Sequence, residues 1–324
     1  MSAAEHPRPS HMPQVVEPGR DHVQRCRTFA RVAAREDIIS TIRALIERHP
    51  VLTFYALVFA ISWGGILILV GPSRIPGTPE DVERLFPFAL VMQFAGPSIA
   101  GVLMTGLVSG RVGLRELLSR LFRWRVGARW YAAALLPGPL LVAAVLFALS
   151  LVSPVFLPGI VTTNDRVALL LFGLAWGLIG GGLLEELGWT GFVVPKLRLG
   201  FGALATGLIV GLAWGAWHFL IAFWASRALA GELSLSIFVA GFLAFYVVAL
   251  PAYRVLMVWV YDRTSSLLVA MLMHALLSAS TLILQPQATA GHLTWNLVLA
   301  AALWVIVAVV AVANRGQPKI GRVG

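Results

Sequence analysis

Two adjacent carboxylates, Glu185 and Glu186, interrupt the glycine-rich apolar stretch GGGLLEELGWTGFVVPKL (180–197). Two histidines lie further along in equally apolar surroundings. His218 ends WGAWH (214–218), and His274 opens HALLS (274–278), with Ser278 one helical turn later. These residue types can carry hydrolysis. A glutamate can take a proton from water, while imidazole and hydroxyl groups steady the oxyanion of a tetrahedral intermediate. His218, His274 and Glu185 are also a ligand set suited to zinc with a position left open for water, in which case the second carboxylate can act as base. Neighbouring residues on a helix point about 100° apart, so both acids can border one cavity. Desolvation and mutual repulsion disfavour two charges there, so the pair is expected to share a proton.

The elements that must position these groups are those of a membrane protein. The chain has 324 residues, 58% hydrophobic and 12% charged, where soluble domains carry about 25% charged residues. Apolar stretches recur at 51–70, 87–109, 130–152, 167–194, 201–224, 235–258, 265–284 and 294–313. Crossing a hydrocarbon core of about 30 Å takes about 20 such residues. The expected fold is all-α, a polytopic membrane helix bundle of about eight transmembrane helices over 51–313. A charge at a helix centre costs about 2.5–3.5 kcal/mol on insertion scales, so such residues usually face a cavity or one another. With Arg198, Ala203 and Arg263 as boundary marks, a rise of 1.5 Å per residue puts Glu185 about 20 Å deep, His218 about 22 Å and His274 about 16 Å. Three helices thus bring their ionisable groups into one slab, as a single site requires. A structural ion pair between the acids and Arg254 is the blander alternative.

Charge fixes the expected orientation. The loop 111–129 holds Arg111, Arg115, Arg120, Arg123, Arg125 and Arg129 against Glu116, whereas 71–86 has Arg74 and Arg84 against Glu80, Asp81 and Glu83. Lys196, Arg198, Arg263 and the tail residues Arg315, Lys319 and Arg322 alternate in step with the first loop. The positive-inside rule then predicts a multi-pass protein of the plasma membrane with both termini cytoplasmic. The net charge of +10 reads as topology plus attraction to anionic lipid headgroups, so the partner is the lipid bilayer and not nucleic acid. Residues 1–50 form a cytoplasmic tail whose segment REDIISTIRALIERHP (35–50) has amphipathic spacing, and 111–130 reads in the same way as a surface segment. Residues 314–324 form a second cytoplasmic tail. The single cysteine, Cys26, excludes an intrachain disulfide and a cysteine-built metal site.

On these motifs the chain resembles the CPBP family of intramembrane proteases, which takes in CAAX prenyl endoproteases and bacteriocin-processing or self-immunity proteins. EELGWTGFVVPKL (185–197) is similar to the family's Glu-Glu motif, WGAWH (214–218) to its aromatic-and-histidine motif, and DRTSSLLVAMLMHALLS (262–278) to its last motif. The resemblance covers 167–284 in the family's order. It implies an intramembrane endopeptidase in which Glu185 is the general base, assisted by Glu186. His218 and His274 would hold water or metal and stabilise the oxyanion, with Ser278 as an auxiliary donor. It implies zinc or another divalent metal as cofactor, or a metal-free glutamate route through the same groups. Its substrate would be a peptide or membrane protein, lipidated in the CAAX case, cut near the cytoplasmic face. Two positions depart from the pattern. Thr190 stands where the family usually has an arginine, which removes a counter-charge one turn from Glu186. Ser278 stands where it usually has asparagine, a longer donor.

Two other functions fit parts of the sequence. A scaffold or self-immunity protein could keep the fold without catalysis. A proton-coupled transporter would use the Glu and His groups as a relay, but it calls for a symmetric repeat or paired interrupted helices, and neither is visible.

Overall fold

The computed structural model describes residues 40–41, 43–226, 234–286 and 289–314. Residues 1–49 and 50–324 separate into two units. In the first, residues 43–48 are helical, and Arg43 Nε donates to Glu47 Oε1 at 2.9 Å one turn on. The rest of the expected N-terminal tail, residues 1–39, and the C-terminal residues 315–324 lie outside the described residues.

Among its described residues, the second unit is an all-α polytopic bundle with eight helices long and apolar enough to cross a membrane. They are α1 (Pro50–Val70), α2 (Pro79–Leu121), α3 (Ala128–Ser150), α4 (Arg166–Leu197), α5 (Ala203–Ala225), α6 (Leu235–Thr264), α7 (Leu267–Leu284) and α8 (Gly291–Ala313). Each expected span falls on one of them. The exceptions in length are α2 and α6, which run past their apolar windows. Hydropathy reports where lipid ends, whereas capping decides where a helix ends. Thr78 Oγ1 accepts from Asp81 N–H at 3.2 Å ahead of Pro79, and this starts α2 well before its apolar stretch. Asp165, Ser234 and Ser266 cap α4, α6 and α7 in the same manner.

Gly110, with φ 58° and ψ −153°, breaks α2, a backbone conformation that suits glycine. Beyond it the arginine-bearing residues 111–121 continue as a helical arm, in keeping with the expected surface segment. This arm meets the end of α6, where residues just past the ends of α4 and α8 also bond. Arg120 Nη1 donates to Tyr261 Oη at 2.8 Å, Arg198 Nη2 pairs with Asp262 Oδ2 at 2.8 Å, and Arg263 Nη2 donates to Asn314 Oδ1 at 2.8 Å. The arginine-rich end is therefore one physical face of the fold. The opposite end carries the turns after α1, α3 and α7.

Two close helix contacts set the middle of the bundle. In lipid there is little hydrophobic drive between helices, so small residues that let backbones touch supply the packing. A Cβ on Gly182 would lie 2.9 Å from the Met271 carbonyl oxygen, so α4 rests on the backbone of α7. On α5, a Cβ on Gly207 would lie 2.6 Å from Val255 Cα, and one on Gly211 2.5 Å from Pro251 Cα. These two glycines are four residues apart and seat α5 directly on α6. Near the same level the turns widen to π-helical geometry at Trp176–Glu185 and Trp189–Val193 of α4 and at Leu243–Ala249 of α6. Such widened turns are rare and concentrate at functional sites.

Replacing Gly211 by valine should push α5 from α6 at the cost of about 1–3 kcal/mol that overpacking carries. Thermal unfolding in detergent checks this. A clearly lower midpoint is expected, while Gly64→Ala, where nothing lies within 4 Å of the added methyl, should leave the midpoint unchanged.

Candidate active site

The site lies where α4, α5, α6 and α7 converge. Glu185 ends the first widened stretch of α4 and Glu186 opens the short regular turn before the second, both buried. The carboxylates have different surroundings. Glu185 lines a cavity of about 400 Å³ together with Trp214, His218, His274 and Ser278. Its Oε2 accepts the Trp214 indole N–H at 2.5 Å. Glu186 does not line the cavity. It stands behind the wall, where Oε2 accepts from Arg254 Nη1 at 2.8 Å and from the Thr190 hydroxyl, and Oε1 accepts from His274 Nδ1 at 2.7 Å. The expectation that both acids border one cavity therefore holds for Glu185 alone. Widened turns and the pull of Arg254 set Glu186 apart from its neighbour.

Arg254 is fully buried. Besides Glu186, its Nη1 lies 3.3 Å from Thr190 Oγ1, and the guanidinium carbon sits 4.2 Å from the Trp214 ring centroid. The counter-charge missing at position 190 is thus supplied from α6. Thr190 joins the ion pair as a hydroxyl between the two charges. A reading of position 190 alone cannot show this, because the cation comes from another helix. The intramembrane arginine was itself the available signal, since so costly a residue needs a partner.

Both histidine rings have a determined sense. A backbone carbonyl or a carboxylate can only accept, so Nδ1 carries the hydrogen toward the Trp214 carbonyl in His218, at 2.9 Å, and toward Glu186 in His274. Nε2 of each ring is left for whatever enters the cavity. The His274 ring packs edge-on against Trp214 at 4.8 Å, and His218 lies against Tyr246 at 4.8 Å. Gly181 keeps the floor open. A Cβ there would lie 2.7 Å from Ser278 Oγ and 3.0 Å from His274 Nε2, so a side chain would fill the space that those two atoms share.

His218 falls at an irregularity in α5, between the regular helical segments Ala203–Trp217 and Phe219–Ala225. The preceding carbonyl, of Trp217, accepts Trp63 Nε1–H at 2.9 Å and Gln93 Nε2–H at 3.1 Å, and Trp217 Nε1 donates to Ser62 at 2.9 Å. This buried polar cluster from α1 and α2 holds the backbone from which His218 projects. Sequence reasoning named neither Gln93 nor Trp214 as a site residue, although Trp214 stands four residues before His218 and so shares its face.

The five candidate residues are therefore assembled as one cavity wall and its backing. As for a metal, among the described residues no group of three His, Cys, Asp or Glu side chains stands at metal-binding spacing. The atoms left open toward the cavity are Nε2 of His218, Nε2 of His274 and one Glu185 oxygen, while both Nδ1 atoms are held within the protein, as those of metal-ligating histidines usually are.

Residues 166–280 match the family model described as Type II CAAX prenyl endopeptidase Rce1-like. The matched segment contains Glu185, Glu186, Arg254, both histidines and Ser278, and it agrees with the resemblance to CPBP proteases. A search of curated proteins finds no match.

Removing one member of a buried ion pair costs about 3–5 kcal/mol, because the other charge is stranded. Arg254→Met and Glu186→Gln are each expected to lower the unfolding midpoint strongly, and the double variant should recover much of the loss. A double-mutant cycle on the purified protein checks this through the coupling energy.

Proposed function

We propose that this chain is an intramembrane endopeptidase in which Glu185 activates water for attack on a peptide bond. The observation that carries the reading is the shared cavity wall, in which one buried carboxylate with a free oxygen faces two histidines whose Nδ1 atoms are already engaged. The match over 166–280 supplies the reaction class.

In this reading a water is held by two acceptors, Glu185 Oε1 and His218 Nε2, so its lone pair points at the scissile carbonyl. Glu185 takes the proton as the water oxygen bonds to the carbonyl carbon. Negative charge then moves to the carbonyl oxygen. The Ser278 hydroxyl is the donor nearest the space kept open by Gly181. Its O–H donates to that oxyanion, while His274, fixed at Nδ1 by Glu186, presents Nε2 beside it. When the tetrahedral intermediate collapses, the C–N bond breaks and Glu185 returns its proton to the leaving amine. Arg254 keeps Glu186 in place as the anion behind His274. Trp214 holds Glu185 toward the cavity through its indole N–H.

A non-catalytic scaffold rested on Thr190 and Ser278 as departures. Arg254 answers the first of these, and Ser278 retains a donor, so the endopeptidase reading is preferred.

Purified protein in lipid should cleave members of a peptide library offered with and without an isoprenyl group on cysteine. Glu185→Gln should lower kcat/KM by about 10²–10⁴, the usual contribution of a general base, with the fold intact by circular dichroism. Equal activity in wild type and Glu185→Gln would refute the assignment. A chelator separates the two routes open to the same three atoms: cleavage lost on chelation and restored by zinc assigns them to a metal, and cleavage that persists assigns them to the glutamate-activated water alone.

A further inference from the structure

The cavity does not lead from Glu185 toward the arginine-rich end. It runs between α4, α6, α7 and α8, past Tyr246 and Thr281, to Gln285 beyond the end of α7 and to His292 and Asn296 in the first turns of α8. In the other direction the bundle is closed. Leu117, Leu267 and Met271 are buried against one another, with Leu121 and Leu187 packed on them, between Glu186 and the arginines. That α7 starts at the arginine-rich end is shown by Ser266, whose hydroxyl donates to the Arg123 carbonyl at 2.6 Å.

The cavity wall also holds an unused donor and an unused acceptor side by side. Among the described residues, Trp295 Nε1 and Asn296 Oδ1 are buried without a hydrogen-bond partner, and both residues line the cavity. Buried polar groups are nearly always bonded, so each exception asks for a partner. The alternating N–H and C=O of an extended peptide would satisfy both.

We propose that the substrate is an extended apolar peptide segment that reaches Glu185 from the end of the bundle opposite the arginine-rich loops, its backbone held by Trp295 and Asn296. This rests on the endopeptidase reading and deepens it. The cavity fixes the end of the bundle from which the segment enters, which is the one away from the arginine-rich loops. The seven residues of α7 from Gln285 to Ser278 descend about 10 Å. About three residues of extended chain, at roughly 3.3 Å each, must therefore fit between the mouth and the scissile bond. A helical segment, about 10 Å across with its side chains, must unwind before it can enter.

Thiol labelling tests the route without relying on catalysis. In a Cys26→Ser background, which removes the single native cysteine, three reporters are made separately: Ser278→Cys at the site, Gln285→Cys at the mouth and Ser119→Cys at the arginine-rich end. A small charged methanethiosulfonate is applied to spheroplasts or to inverted vesicles, and unfolding midpoints confirm that each variant is folded. The expected result is that Gln285→Cys and Ser278→Cys react in the same one of the two preparations and that Ser119→Cys reacts in the other. Reaction of Ser278→Cys from the same side as Ser119→Cys would overturn the proposal. So would a silent Ser278→Cys beside a reactive Gln285→Cys, since the mouth would not then reach the site. If labelling follows the expected pattern but no peptide is cleaved, the endopeptidase reading fails and the access route stands. If peptide is cleaved but Ser278→Cys labels from the arginine-rich side, the endopeptidase reading stands and the access route fails.

Discussion

Glu186 and Arg254 are both fully buried in the middle of α4 and α6, where neither charge could sit alone. Each group around them comes from a helix that the pair thereby holds. Glu186 and Thr190 come from α4, Arg254 from α6, His274 from α7, and the Trp214 ring over the guanidinium from α5. Sliding any of the four would leave a charge or a strong donor unpaired in a medium of low dielectric. The ion pair also decides which way the His274 imidazole faces. Its Nδ1 is committed to Glu186, and Nε2 is consequently presented to the cavity.

Short polar contacts of this kind require helices that approach closely, and glycine makes the approach. The 2.8 Å bond between Arg254 and Glu186 depends on α6 lying against α5 at Gly207 and Gly211. A Cβ on Gly211 would stand 3.3 Å from Arg254 Cβ itself. The contact of α4 with α7 at Gly182 does the same for His274. Packing density and charge pairing are therefore one constraint seen from two sides. The glycines set the distance at which the ionic groups can meet, and those groups in turn penalise any other register.

The division of labour between the adjacent acids follows from this arrangement. Glu186 has three donors around it and serves the framework. Glu185 has one tryptophan N–H and an open face, and so it is the acid positioned for chemistry. A second framework cluster, of Ser62, Gln93, Trp63 and Trp217, fixes the α5 backbone beside His218 from the far side. The cavity is enclosed largely by aromatic rings from α6, such as Phe242 and Tyr246. These rings make that side of the cavity apolar and so strengthen the electrostatics among the polar groups.

What could be read from the sequence was what depends on local composition. Lipid demands runs of apolar residues with every backbone group bonded internally, so eight spans and an all-α bundle were legible in hydropathy alone. The expense of charge in lipid marked Glu185, Glu186, His218, His274 and Arg254 as residues that need one another, and 1.5 Å per residue placed the first four at a common depth. Lateral arrangement was not legible, because depth along a helix says nothing of which faces meet. Only the tertiary structure decided that Arg254 takes the place left open by Thr190, that Trp214 bonds Glu185, and that the adjacent acids face different surroundings. It alone showed the cavity leading away from the arginines. Those outcomes depend on which glycines let which backbones touch and on where the turns widen, and both are properties of helix pairs that no single segment carries.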